Sequence, residues 1–221
     1  MSQHLQREIE NLKKKILTLG AMVEDLVYKA ALSIENRDGD LANEAMDNDN
    51  FIDSFEVEIE EDCLKILALH QPVAIDLRFI VAVLKINSDL ERIGDLAVNI
   101  AERSAFLAKH DSVDISFDFI EMTQKAQAML RQSLDALVNL SPSMARQVCS
   151  KDDEIDEMNR QMYVMVQQVI EKHPEQIGPL LHLLSVSRHL ERIADHATNI
   201  AEDVIYMIEG SIVRHKIEEY E

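Results

Sequence analysis

Residues 90–102 read LERIGDLAVNIAE, and residues 190–202 read LERIADHATNIAE. Ten of these thirteen positions are identical at an offset of 100. Upstream, residues 49–53 (DNFID) match residues 152–156 (DDEID) at an offset of 103. Two matches in the same order, slightly out of step, are what a duplicated segment with one small loop indel leaves behind. The chain is therefore a tandem duplication, with a first unit over 1–110 and a second over 111–221.

The quoted stretches also set the fold class. Ile86, Leu90, Ile93, Ala97 and Ile100 step by 4, 3, 4 and 3, and Val186, Leu190, Ile193, Ala197, Ile200 and Val204 keep the same rhythm. That spacing is a heptad seam for long helices packed nearly parallel to one another's axes. Ile52, Phe55, Ile59, Cys63 and Ile66 make a facing stripe. Breaks are few: residues 36–40 (NRDGD), 70–72 (HQP), a stretch from 109 to about 117, 141–143 (SPS) and 172–174 (KHP). They leave six helical stretches, three in each unit. Asp38 and Ser141 are expected N-caps, and Pro72 and Pro174 are expected just inside the helices that follow them. The expected fold is all-α, a tandem duplication of a three-helix bundle with six long helices.

Composition narrows the function. The 221 residues carry 41 acidic and 22 basic side chains, a net charge of −19. Such a surface repels nucleic acid and anionic membranes and suits cations or a partner with a basic patch. An apolar fraction of 47% allows a sizeable core. Five glycines and four prolines are too few for the turns of a sandwich or an α/β fold. The first residues show no secretory h-region, and no run of 18 apolar residues offers direct membrane insertion, so a cytoplasmic protein is expected. Cys63 and Cys149 form no CxxC pair and are expected to be reduced thiols.

One pattern is not explained by the core. Glu91, Asp95, Asn99 and Glu102 fall on one arc of a helix away from the seam, and Glu191, Asp195, Asn199 and Glu202 repeat it. Asp49, Asp53, Glu56 and Glu60 form a similar line, and so do Asp152, Asp156 and Asn159. Charges on a helix usually mark only its solvated face. Here the stripe has one sign, although acidic neighbours one turn apart repel by about 0.2–0.5 kcal/mol. It also recurs with the same residue types in both units. Carboxylates from neighbouring helices can converge on hard cations such as magnesium, manganese, calcium or iron, singly or as a cluster. A structural zinc would want cysteine or histidine. Arg92 and Arg192 are expected in surface ion pairs. His182, His189 and His196 step by seven and are expected at a packing edge, with metal ligation or a pH response as the alternative. A di-iron oxidase needs Glu-x-x-His on two helices, and the chain has none. No phosphate loop or Gly-x-Ser-x-Gly is present either, so no catalytic activity is expected.

Residues 72–102, PVAIDLRFIVAVLKINSDLERIGDLAVNIAE, and 185–204, SVSRHLERIADHATNIAEDV, resemble the two signature helices of the PhoU family, the phosphate-specific transport system accessory proteins. The resemblance covers essentially the whole chain. It implies two three-helix bundles, usually a homodimer, and a cytoplasmic negative regulator of the phosphate regulon. Such a protein would link the ATP-binding subunit of the phosphate importer to a sensor histidine kinase. It also implies metal sites, multinuclear in some members, holding iron, manganese, magnesium or zinc. The family's motif carboxylates fall on Asp49 and Asp53, Glu91 and Asp95, Asp152 and Asp156, and Glu191 and Asp195. Asn99, Glu102, Asn199 and Glu202 are added from the helical geometry. The second unit lacks the Pro-x-Ala-x-Asp-Leu-Arg element that ends at Arg78. With no phosphate pocket legible, sensing is expected through contact with the transporter. The alternatives are a metal-independent helical scaffold and a metal-dependent enzyme on a helical bundle.

Overall fold

The computed structural model describes residues 3–113 and 115–210. The outer edges of the two expected units, residues 1–2 and 211–221, lie outside the described residues. The elements are α1 (Gln3–Asn36), α2 (Gly39–His70), α3 (Ala74–Leu107), α4 (Phe119–Asn139), α5 (Pro142–Cys149), α6 (Asp152–Lys172), a 3-10 turn (Pro174–Gln176) and α7 (Ile177–Glu209). No strand occurs among the described residues. Six long helices are present as expected, with α5 as an additional short one.

The duplication extends to individual hydrogen bonds. The Asp38 amide donates to the Ser33 carbonyl at 2.9 Å, and the Ser141 amide to the Ala136 carbonyl at 3.0 Å. Arg37 and Leu140, each just before these residues, both take a left-handed backbone (φ 51° and 49°) that ends the preceding helix. Asp38 then accepts from the amides of Asp40 and Leu41, and Ser141 from that of Met144. At this offset α5 and α6 together are the copy of α2. The expected continuous fifth helix is broken at Ser150 and Lys151. The Ser150 hydroxyl donates back to the Gln147 carbonyl at 3.0 Å, which competes with the helical ladder. A new first turn of Asp152, Asp153 and Glu154 then complements the helix dipole. A second departure concerns Pro72. It lies in the connection before α3 and not inside the helix; Gln71, and Ala74 as the first residue of α3, have positive φ.

The caps give a direct test. Asp38 makes two bonds at 3.0 Å, whereas Ser141 makes one at 3.4 Å. Asp38→Ala is expected to cost about 1 kcal/mol in urea denaturation, and Ser141→Ala less.

The heptad seams form the core. Ile86, Leu90, Ile93, Ala97 and Ile100 are fully buried, as are Val186, Leu190, Ile193, Ala197, Ile200 and Val204. Each large side chain of this kind contributes about 1.5–3 kcal/mol. The seams bring α3 and α7 together antiparallel along the middle of the molecule. Crossing contacts fix that direction: the Arg78 Nε–H donates to the Met207 carbonyl at 2.9 Å, Lys85 pairs with the buried Asp203 at 3.0 Å, and Phe106 stacks on His182 at 3.8 Å. His196 Nδ1 lies 2.8 Å from Asp89 Oδ1. α1 and α2 flank α3, and α4, α5 and α6 flank α7.

Candidate functional site

The antiparallel packing of α2 on α3 decides where the first acidic stripe points. Asn87 is buried on α3 and donates from Nδ2 to both the carbonyl of Glu56 (2.9 Å) and its Oε1 (3.0 Å). Two turns further along, Asp49 sits over Gly94. A Cβ added at Gly94 would lie 3.2 Å from Asp49 Oδ1 and 3.4 Å from Ile52 Cγ2. Between these two contacts the carboxylates of Asp49, Asp53 and Glu56 on α2 face Glu91 and Asp95 on α3. The acidic arc therefore borders the junction between two helices, an open groove in which Asp49, Glu56 and Glu91 are half-buried and Asp53 and Asp95 are exposed.

The second repeat builds the same groove with different supporting residues. Ser187 donates to Asn159 Oδ1 at 2.8 Å, in the place taken by Asn87 and Glu56 in the first repeat. Asp152 and Asp156 on α6 face Glu191 and Asp195 on α7. Ala194, fully buried, stands where Gly94 stands in the first repeat.

Carboxyls are pushed up in both grooves. Burial, then the charges of Asp53 and Asp95, push the Asp49 carboxyl up to about 6. Burial, then Asp195 and Asp156, push Asp152 up to about 6. Asp195 reaches solvent at its edge, yet partial burial and then Glu191 and Asp156 also push it up to about 6. Glu91 and Glu191 are raised in the same direction, chiefly by burial and then by Asp95 and Asp156 respectively. Glu56 is raised by burial and then by Glu60 and Asp53. Asp49 Oδ1 and Asp152 Oδ1 are both buried without a hydrogen bond of ordinary geometry, although the Thr198 hydroxyl near Asp152 works against the rise of its carboxyl. An orphaned carboxylate oxygen at the same place in each repeat, surrounded by further carboxylates, is a donor set for a hard cation. Among the described residues no three carboxylate, imidazole or thiol side chains enclose an ion as they are oriented. Ligation would require side-chain rotation within each groove.

Not every predicted residue joins the grooves. Asn99 turns back on its own helix and donates to the Asp95 carbonyl at 2.8 Å. Glu102 is exposed and pairs with the neighbouring Arg103 at 3.1 Å. Asn199 and Glu202 are half-buried further along α7. Arg92 and Arg192 are exposed, and each partly offsets the raised carboxyl beside it. The three histidines of α7 enter the seam with α3. His196 is buried against Asp89, and His182 stacks on Phe106. His189 is pushed down to about 4 by burial and then by Arg103, Arg192 and Arg188. Both cysteines are free, and burial, then Asp62 and Glu60, push the Cys63 thiol up to about 12, far from reactive thiolate. Asn87 and Ser187 were missed in the sequence. Their signal was a polar residue next to the seam in both copies at the repeat offset.

Ala194 makes a prediction for its counterpart. Gly94→Ala is expected to leave the melting temperature almost unchanged. The gain of about 0.5–1 kcal/mol from helix propensity is offset by displacing the Asp49 carboxylate a few tenths of an ångström.

A family model described as the PhoU domain matches residues 16–104 and again residues 119–204. The chain is 37% identical over 212 residues to the phosphate-specific transport system accessory protein PhoU homolog of Aquifex aeolicus, covering 96% of each. Its fold is similar to the crystal structure of PhoU from Pseudomonas aeruginosa. The TM-score is 0.88 at 32% identity, over 93% of this chain and 99% of that one. The phosphate transport system regulatory protein PhoU from Streptococcus pneumoniae gives 0.85 at 29% identity, over 95% and 99%. No described helix is long and apolar enough to cross a membrane.

Proposed function

Because this chain belongs to the PhoU family, we propose that it is an accessory protein of a phosphate-specific transport system, and that it restrains uptake and phosphate-responsive signalling when phosphate is plentiful. The observation that carries this reading is the near full-length similarity, in both repeats, to proteins named for that role. In this reading the protein is a cytoplasmic adaptor, acting as a homodimer and without a reaction of its own. It contacts the ATP-binding subunit of the importer and a sensor histidine kinase. The net charge of −19 supports docking against basic surfaces.

The two acidic grooves supply the second element of the proposal. Each holds iron, manganese, magnesium or zinc, singly or as a cluster, through Asp49, Asp53, Glu91 and Asp95 or through Asp152, Asp156, Glu191 and Asp195. The support is the orphaned oxygen at Asp49 and Asp152 and the raised carboxyls around each. A bound cation offsets the burial and the mutual repulsion that raise those carboxyls, and ties α2 to α3 and α6 to α7.

Two experiments test these readings separately. Deleting the gene in its host is expected to raise phosphate uptake and regulon expression in phosphate-rich medium, and unchanged expression would overturn the regulatory role. Elemental analysis of untagged protein is expected to find metal that is absent from a folded variant lacking Glu91, Asp95, Glu191 and Asp195. No metal in either, after reconstitution, would leave the grooves as docking faces. Tight phosphate binding by the isolated protein would replace contact sensing with direct sensing.

A further inference from the structure

The two acidic grooves occupy the same place in each repeat, yet the charge around them differs. In the first, Asp49, Asp53, Glu56 and Glu60 line α2, and Glu91 and Asp95 line α3. The raised carboxyls there, Asp49, Glu56 and Glu91, feel one basic side chain among the described residues, Arg92.

The second groove departs from this at four positions. Asn159 stands in the place of Glu56 and Tyr163 in the place of Glu60, so two carboxylates are gone. Arg160 stands in the place of Val57, and its Nη1 lies 3.8 Å from Asp156 Oδ2. Arg188 stands in the place of Ser88. Burial and then Asp156 raise the Glu191 carboxyl, and Arg188 and Arg192 both oppose them. Asp153 and Glu157 do not restore the balance, because they line the hollow toward α4 with Glu121 and Lys125. Six carboxylates and one guanidinium in the first groove thus correspond to four and three in the second.

The backbone adds to the difference. Asp152 is the first residue of α6, beside the free amides and the positive end of that helix. Asp49 stands inside α2 (Gly39–His70), well away from either end. A divalent cation is held by the carboxylates it gathers, against any fixed positive charge nearby. One exposed guanidinium alone has a small effect. Here two additional guanidiniums, two absent carboxylates and a helix N-terminus all act with the same sign.

We propose that the two grooves fill in order. The first repeat binds a divalent cation at the lower concentration, and the second, neutralised in part by Arg160 and Arg188, fills only when the cation is more abundant. This order presupposes that the grooves hold metal, as proposed above, and adds which one does so first. The second groove is then the one whose occupancy follows metal supply.

The test is a manganese titration of the full chain after removal of metal with a chelator. The electron paramagnetic resonance of aqueous manganese reports the unbound ion. Three variants are compared with the native chain: Asp53→Asn with Asp95→Asn, Asp156→Asn with Asp195→Asn, and the first pair combined with Arg160→Val and Arg188→Ser. All six positions are exposed or half-buried, and a melting curve checks that each variant is folded. The native chain is expected to show two classes of site whose dissociation constants differ by at least about ten-fold, about 1.4 kcal/mol. The tighter class is expected to disappear with Asp53 and Asp95, and the weaker with Asp156 and Asp195. Introducing the valine and serine of the first repeat is expected to tighten the remaining second-groove site by about ten-fold. A tight class that survives the loss of Asp53 and Asp95, or two grooves of equal affinity, would overturn the order of filling and leave metal binding intact. A second groove unchanged by Arg160→Val and Arg188→Ser would overturn the role given to those guanidiniums. No manganese bound to the native chain at millimolar concentration would overturn the metal reading itself, and the order with it.

Discussion

Replacing Asp49 and Asp152 together by asparagine is expected to raise the melting temperature of the metal-free protein at pH 8 by about 4–8 °C. Both carboxyls are pushed from 3.8 up to about 6 on folding, by burial first and by neighbouring carboxylates second. A raised carboxyl pKa means that the folded state binds the proton more tightly than the unfolded chain. Its contribution is fully favourable only below about pH 4 and is lost as pH rises through about 6. Two pKa units correspond to about 2.7 kcal/mol, and solvent screening of half-buried groups reduces this to about 1 kcal/mol each. For a domain of this size 1 kcal/mol shifts the melting temperature by about 2–4 °C. The native protein is accordingly expected to become more stable as pH falls from 8 to 5, and the double variant to show a flatter profile. Added manganese or iron is expected to stabilise the native protein and not the variant. An equal response of the two to added metal would show that the ions act elsewhere.

Leu190→Ala is expected to cost about 2–5 kcal/mol, the range for a fully buried leucine whose cavity cannot collapse. Leu190 is 0% exposed in the middle of α7. That helix packs on α3 and on α4, α5 and α6, so no neighbour can close the void without leaving another. Val164→Ala, at an exposed position of α6, is expected to change stability by less than about 0.5 kcal/mol. Urea denaturation of the two variants side by side checks the contrast. A small loss for Leu190→Ala would mean that the α3–α7 seam repacks.

The helices were legible because the 4-3 spacing of Ile86, Leu90, Ile93, Ala97 and Ile100 allows one solution, and the repeat states it twice. The caps at Asp38 and Ser141 were legible from residue type, an aspartate ahead of Leu41 and a serine ahead of Pro142. The break at Ser150 was not, because neither Gly nor Pro marks it and the hydroxyl bond to Gln147 acts only locally. Pro72 misled because proline at the first helical turn is common, whereas here the helix starts two residues later, at Ala74, which takes φ 50°. The motif carboxylates were legible from their one-signed arc. Periodicity places a residue on a face but does not say what lies opposite, so the groove character of the arc waited for α2. The same limit separates Asp95, which faces Asp49, from Asn99 and Glu102, which share its arc but bond to their own helix or to Arg103.

The crossing contacts of α3 and α7 bear on the ancestry of the molecule. Lys85 with Asp203, and Asp89 with His196, each occur once, on one side of the internal two-fold relation. At the repeat offset the opposite side holds Arg103 and Leu96 in place of Asp203 and His196. Two first repeats joined across this seam would set Lys85 against Arg103 and leave Asp89 facing an alkyl chain. At these contacts the two halves of the duplication form a heterologous pair. Each half now supplies contacts across the seam that the other half lacks.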